Sequence, residues 1–252
     1  MSQNPAESNA IMVVGPAWVG DMVMAQSLFK ALKKKYPEYE IDVLAPAWTR
    51  PILQRMPEVR ESIEMPLGHG DFNFGFRKAL GRQLKGRYQR AVVMPRSWKA
   101  ALVPWFAGTP VRTGYLGELR YGLLNDIRRL DKERHFKTVE QFVALAFSAD
   151  HQGSLEIENP SLCIDPKQRE KTLAELEIEE TGKPILVVCP GAEFGPSKQW
   201  PADYYTEVAA RMLEVGWDVW VIGSKNDQSI GRSIEVMTQS ACQDLTGKTT
   251  LD

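Results

Sequence analysis

Two rhythms of apolar and polar positions alternate along the chain, and the alternation starts twice. "IMVVGP" (residues 11–16) is a continuous apolar run, the pattern of a strand covered on both faces. Residues 21–35 follow with helical spacing and end in "KALKKKY", a basic end that suits a helix C-terminus. "EIDVLAP" (40–46), "ESIEMP" (61–66), "QRAVVMP" (89–95) and "VRTGYL" (111–116) predict four further strands. Helices are predicted at residues 49–57 and 76–88, from Arg96 onward, and at 135–149. "DHQGSLEIENPS" (150–161), with Gly153, Asn159 and Pro160, reads as a linker.

The alternation then begins again. Asp165 and Pro166 supply a cap and first-turn pair for a charged helix. "KPILVVCPGA", "DVWVIGS" and "CQDLTG" read as strands, residues 201–217 and 226–240 as helices, and "TTLD" as the start of one more helix. Strands alternating with helices predict α/β units with parallel sheets and helices on both faces. The predicted organisation is a disordered lead-in at 1–10, a Rossmann-like domain at 11–160 and a second one at 161–252.

Composition leaves this picture intact. Of the 252 residues, 43% are hydrophobic and 25% charged, an ordinary globular balance. No apolar run of transmembrane length and no signal-peptide pattern is present. Cys163, Cys189 and Cys242 lack metal-ligand spacing and read as incidental thiols of a reducing compartment. Charge does change the picture. Residues 77–134 hold 14 Lys/Arg and 4 Asp/Glu, whereas the whole chain has a net charge of −1. This asymmetry suits an anionic partner, or equally a solvated basic surface. Trp98, Trp105, Tyr115 and Tyr121 sit in apolar patterns that read as core. They are not expected to form a stacking platform, so no nucleic acid is expected as a partner.

Ligands of such sheets bind beyond the carboxyl ends of the strands, which singles out three loops. The first, Gly15 to Asp21, has the outline of a phosphate loop but places Asp21 where a Lys would stand. Asp21 reads either as a carboxylate stabilising a helix N-terminus or as a base. The second, "PGAEFGPSKQW" (190–200), is Gly-rich and carries Lys198 ahead of a helix start, so a diphosphate or an ordinary turn fits it. In the third, "GSKND" (223–227), Asp227 is either a ribose ligand or a helix cap.

"GPAWVGDMVMAQSL", "DVLAPAW", "MPLGHG", "KAALVPWFAGTPVRTGYLGELRYGLLND" and "PGAEFGPSKQWP" together resemble the ADP-heptose:lipopolysaccharide heptosyltransferases of glycosyltransferase family 9, in their heptosyltransferase II branch. The resemblance implies a GT-B architecture, two Rossmann-like domains facing a cleft. It implies inverting transfer of heptose from ADP-L-glycero-D-manno-heptose to the first heptose of the inner core. The alternative is an ADP-binding fragment without transfer activity.

By resemblance, Asp21 is the catalytic base, and Gly191, Lys198, Asp227 and Thr249 bind the donor. Gly20, Arg96, Ser97, Lys99, Arg112 and Arg120 are the acceptor-side candidates, facing a heptosyl-Kdo2-lipid A. ADP-heptose is a substrate; no cofactor or metal is expected. The implied location is cytoplasmic, peripheral to the inner membrane. The family's Asp-Ser/Thr-Gly-x-x-His motif is not reached before residue 252, so the chain is expected to be C-terminally truncated.

Overall fold

A computed structural model describes residues 9–67, 71–192 and 195–251. The expected lead-in and the "GHG" of the "MPLGHG" segment therefore fall mostly outside the described residues. The chain divides into two compact units, Met1–Cys163 and Ile164–Asp252.

The first unit contains β1 (Ala10–Val14), α1 (Val19–Lys35), β2 (Glu40–Ala45), α2 (Arg50–Gln54), β3 (Val59–Glu64) and α3 (Phe74–Gln83). It continues with β4 (Arg90–Val93), α4 (Leu102–Phe106), β5 (Val111–Tyr115), β6 (Asp126–Arg128) and α5 (Thr138–Ala144). The strands form a single sheet in the order β3-β2-β1-β4-β5-β6, every pairing parallel. All five residues of β1 are buried because it is central and covered on both sides. Side chains of a strand alternate between faces. Accordingly Ile11 and Val13 pack with Leu28 and Phe29 of α1 and Ile52 and Leu53 of α2. Ala10, Met12 and Val14 pack on the opposite face with Leu84 and Tyr88, beyond α3, and Val103 of α4.

β6 was not predicted. Its three residues are all half-buried and polar at both ends, so they carry no apolar run. They are held to β5 by the ladder and by the Thr113 hydroxyl, which donates to Asp126 (2.7 Å). The helix expected over 135–149 is only the Thr138–Ala144 turn pair. The helix expected from Arg96 is two short pieces, a 3-10 turn at Trp98–Ala101 and the five residues of α4.

The second unit contains α6 (Pro166–Glu175), β7 (Ile185–Val188), α7 (Ala202–Glu214), β8 (Asp218–Val221), α8 (Gln228–Met237) and β9 (Gln243–Asp244). Its sheet runs β7-β8-β9, again parallel. Helices on both faces, as expected, hold for the first unit only. Successive right-handed crossovers in one direction place their helices on one face. α7 and α8 thus share one core, built on Val188, Val219, Val221, Ala209 and Ile234. Val187, the intervening residue of β7, is 45% exposed, and α6 buries no side chain. Residues 249–251, where one more helix was expected to start, are irregular.

Candidate active site

In the first unit the winding reverses between β1 and β4, which lie side by side. The crevice beyond the carboxyl ends at such a reversal is where open α/β sheets take ligands. A cavity of about 480 Å³ occupies it, lined by Gly15, Asp21, Arg77, Arg96, Ser97 and Lys99 among others. Gly15 is required by close packing: a Cβ there would stand 2.7 Å from Met22 Cε and 3.1 Å from Val43 Cγ1. The indole of Trp48 donates to the Ala17 carbonyl (2.8 Å) and ties the loop to the segment after β2.

Asp21 is the third residue of α1 and lines this cavity. A carboxylate at that position commonly reaches back to the cap residue's N–H. Glu140 does so in α5, accepting from Lys137 N at 2.9 Å. Asp21 does not; Trp18 receives no side-chain cap, and the Asp21 carboxylate makes no hydrogen bond or ion pair among the described residues. Gly20 beside it is exposed and has open space where a Cβ would go.

Three cations share the cavity with that carboxylate. Arg77, on α3, is buried and donates to the carbonyls of Phe72 (2.8 Å), Asp71 (3.3 Å) and Lys99 (3.4 Å). Its burial pulls the guanidinium pKa down. The Lys99 ammonium donates to the Asp71 carbonyl (3.4 Å), and Arg96 is exposed. The sequence reading missed Arg77, which its helical pattern presents as one cation among several on a basic helix. Only its spacing three residues after Phe74, at the buried stripe with Gly81, could have marked it.

Arg112 and Arg120 are placed elsewhere than expected. Arg112 sits near the start of β5 and spends its guanidinium on the Leu123 (2.6 Å) and Thr109 (2.5 Å) carbonyls. Arg120 is 1% exposed and donates to the carbonyls of Tyr115 (2.6 and 3.1 Å), Pro95 (2.6 Å) and Ser97 (3.1 Å). Desolvation brings its pKa down to about 10. Both guanidiniums hold backbone, and Arg120 fixes the 95–97 loop that carries Arg96 and Ser97. The anion site expected from a helix start at Ser97 is also altered. The helix is a short 3-10 turn that Ser97 does not cap with its side chain, so the cavity's positive character comes from Arg77, Arg96 and Lys99.

In the second unit the loops after β7 and β8 meet at their glycines. A Cβ on Gly191 would stand 2.5 Å from the Asp227 carboxylate, and one on Gly223 would stand 2.9 Å from Asp227 Cβ. Asp227 Oδ2 accepts from Ser224 N and Ser224 Oγ, both at 2.7 Å, in a capping box. The cap expected as one reading of Asp227 is thus formed, while Oδ1 takes no part in it. Lys198 ends a 3-10 turn at Pro196–Lys198, ahead of α7. Thr249 is half-buried in irregular backbone beyond Gly247, whose N–H donates to Gly223 O (2.8 Å). Gly191, Asp227 and the Gly223 turn are brought together; Glu193 and Phe194 lie outside the described residues. Among the described residues no group of His, Cys, Asp and Glu is arranged to hold a metal ion, and no helix is long and apolar enough to cross a membrane.

Parallel sheets bearing a carboxylate among cations on one edge, and a glycine-lined acidic loop on another, define a Rossmann-like α/β protein. Family comparison makes this specific. The glycosyltransferase family 9 (heptosyltransferase) profile matches residues 77–252, and the chain belongs to that family. It is 45% identical to lipopolysaccharide heptosyltransferase 2 of Escherichia coli strain K12, over 96% of this chain and 72% of the relative. It is 42% identical to lipooligosaccharide heptosyltransferase 2 of Haemophilus influenzae, with the same coverage. The solved structure of the E. coli ADP-heptose lipopolysaccharide heptosyltransferase II matches with a TM-score of 0.85 at 42% identity, over 96% of this chain and 74% of that one. The fold class is that of the GT-B heptosyltransferases.

Proposed function

We propose that this protein is an inverting glycosyltransferase moving heptose from ADP-L-glycero-D-manno-heptose to the first heptose of the lipopolysaccharide inner core. One observation carries the reading. In a chain 45% identical to a lipopolysaccharide heptosyltransferase 2, an uncommitted Asp21 carboxylate lines a cationic cavity at the winding reversal of the first sheet.

In this reading Asp21 is the general base. It takes the proton of the acceptor hydroxyl as that oxygen bonds to the anomeric carbon. The bond from that carbon to the ADP oxygen breaks, and its electron pair leaves with ADP. A single displacement inverts the anomeric centre. Lys198 and the Gly191 loop stabilise the charge growing on the diphosphate, Asp227 takes the ribose through its remaining oxygen, and Thr249 lies toward the adenine. Arg96 and Lys99, with Arg77 behind them, receive the acidic groups of a heptosyl-Kdo2-lipid A acceptor. Such an acceptor places the reaction at the cytoplasmic face of the inner membrane, with the protein bound peripherally.

The test is incubation with ADP-heptose and heptosyl-Kdo2-lipid A. The expected product is heavier by one heptose, with ADP released and the anomeric configuration inverted. ADP binding with no product supports the nucleotide-binding alternative instead.

A further inference from the structure

Trp98 and Trp105, which the sequence pattern assigned to the core, are 39% and 43% exposed, and Tyr121 is 58% exposed; of the four aromatics so assigned, only Tyr115 is buried. Trp98 and Trp105 stand at the two ends of a continuous row of rings. Trp98 packs on Phe72 (4.9 Å between centroids), Phe72 on Phe74 (6.0 Å), Phe74 edge-on to Phe106 (5.5 Å), and Phe106 on Trp105 (4.7 Å). Phe72 and Phe74 are themselves 40% and 44% exposed. Single exposed aromatics need no explanation, but a connected row of them marks an interaction surface.

The charge beside the row selects the partner. Residues 71–110 contain eight Lys/Arg and one acidic residue, Asp71. On α3, Lys78 and Arg82 follow Phe74 at i+4 and i+8, which sets them on the same side of the helix. Lys85 follows just past the helix end. Among the described residues none of these three side chains forms an ion pair or hydrogen bond. Amphipathic rings at the surface with uncommitted cations beside them are the composition that seats in the headgroup layer of an anionic bilayer. The row also begins at Trp98, between Ser97 and Lys99 of the candidate active site.

We infer that the Trp98–Phe72–Phe74–Phe106–Trp105 row is the surface by which the first unit docks on an anionic phospholipid bilayer, the rings entering the interface and Lys78, Arg82 and Lys85 meeting lipid phosphates. The inference deepens the membrane part of the proposed function. Its test contains neither donor nor acceptor, so its failure and the failure of the transfer reading are distinguishable.

The experiment is co-sedimentation with vesicles of phosphatidylethanolamine and phosphatidylglycerol, alongside vesicles of phosphatidylcholine alone. Tryptophan quenching by lipids brominated on the acyl chain is recorded in parallel. The wild type is expected to bind the anionic vesicles, more weakly as salt rises, and to be quenched. Phe74→Ser with Trp105→Ser, and separately Arg82→Glu with Lys85→Glu, should each lower the partition at least tenfold with unchanged circular dichroism. The charge pair is exposed and keeps the test decisive if the aromatic pair fails to fold. Wild-type binding equal on neutral and anionic vesicles, or either pair within twofold of wild type, overturns the inference. So does a dimer in gel filtration that dissociates on Trp105→Ser, which would assign the row to a second copy of the chain.

Discussion

Arg120 and Arg112 show how burial decides what a cation does. Both lie in the basic stretch, yet each is consumed by main-chain carbonyls, Arg120 by those of Pro95, Ser97 and Tyr115. Sequence reading registered the charge but not the burial, because an arginine surrounded by "GYLGELRYG" gives no periodic signal of its own. Asp21 was legible, since its place after Gly15 and Gly20 follows from the loop pattern; its lack of a cap contact was not. Arg120→Ala leaves three buried carbonyls without a donor, at about 1–3 kcal/mol for each group left unsatisfied. The melting temperature should fall by several degrees, and the acceptor KM should rise more than the donor KM. In the second unit Lys198→Ala should weaken ADP binding by roughly 10- to 150-fold, the scale of one charge-assisted contact, whereas Lys225→Ala should barely change it. Calorimetry with ADP decides between them, and equal losses would remove Lys198 from the diphosphate. Tyr115 gives a pH prediction. Burial pushes its phenol up to about 12 from an ordinary 10, and it donates to the Gln141 carbonyl (2.7 Å). The folded state therefore holds that proton more tightly than the unfolded state. The stability this gives is complete below pH 10 and is lost as pH rises through about 12. Tyr115→Phe should be less stable than wild type near pH 8 by about 1 kcal/mol, and the difference should close across that window in thermal melts.

At the level of elements, what followed the hydrophobic pattern was legible and what followed tertiary context was not. The first five strands and the three of the second unit each carry an apolar core, and each was placed from it. β6 is an edge strand held by pairing to β5 and by Asp126, with no apolar run to announce it. The apolar run around α4 announced burial, but could not say that Trp105 would face outward while Val103 faced the sheet. α3 and α4 approach closely at Gly81, where a Cβ would stand 2.5 Å from Phe106 Cβ and 2.8 Å from the Val103 carbonyl. Gly81→Ala should therefore cost about 1–3 kcal/mol by overpacking, despite alanine's better helix propensity. Gly20 makes the opposite case: its Cβ position is empty and α1 would gain propensity. Gly20→Ala should leave the melting temperature unchanged or raise it. A fall in transfer rate at constant stability would then report that the acceptor occupies the open space beside Asp21.

For the whole molecule, two compact units keep separate cores and separate candidate sites. The boundary drawn from sequence at residues 160/161 and the structural division at 163/164 differ by a few residues because the linker residues hydrogen-bond back to α1. Gln26 takes the Ser161 N–H (2.8 Å), and the Ser27 hydroxyl donates to the Glu158 carbonyl (2.6 Å). The charge asymmetry also belongs to this scale, since the cations that line the cavity and those beside the ring row lie in the first unit. The central claim is a division of labour, with the proton accepted in the first unit and ADP held by the second. Its most direct test is Asp21→Asn, with heptose transfer and ADP affinity measured on the same preparation. The account predicts that kcat falls by about 10²–10⁴-fold, the usual contribution of a general base, while the Kd for ADP stays within about twofold. A variant that keeps more than a tenth of the wild-type kcat, or one that loses ADP binding along with transfer, contradicts it.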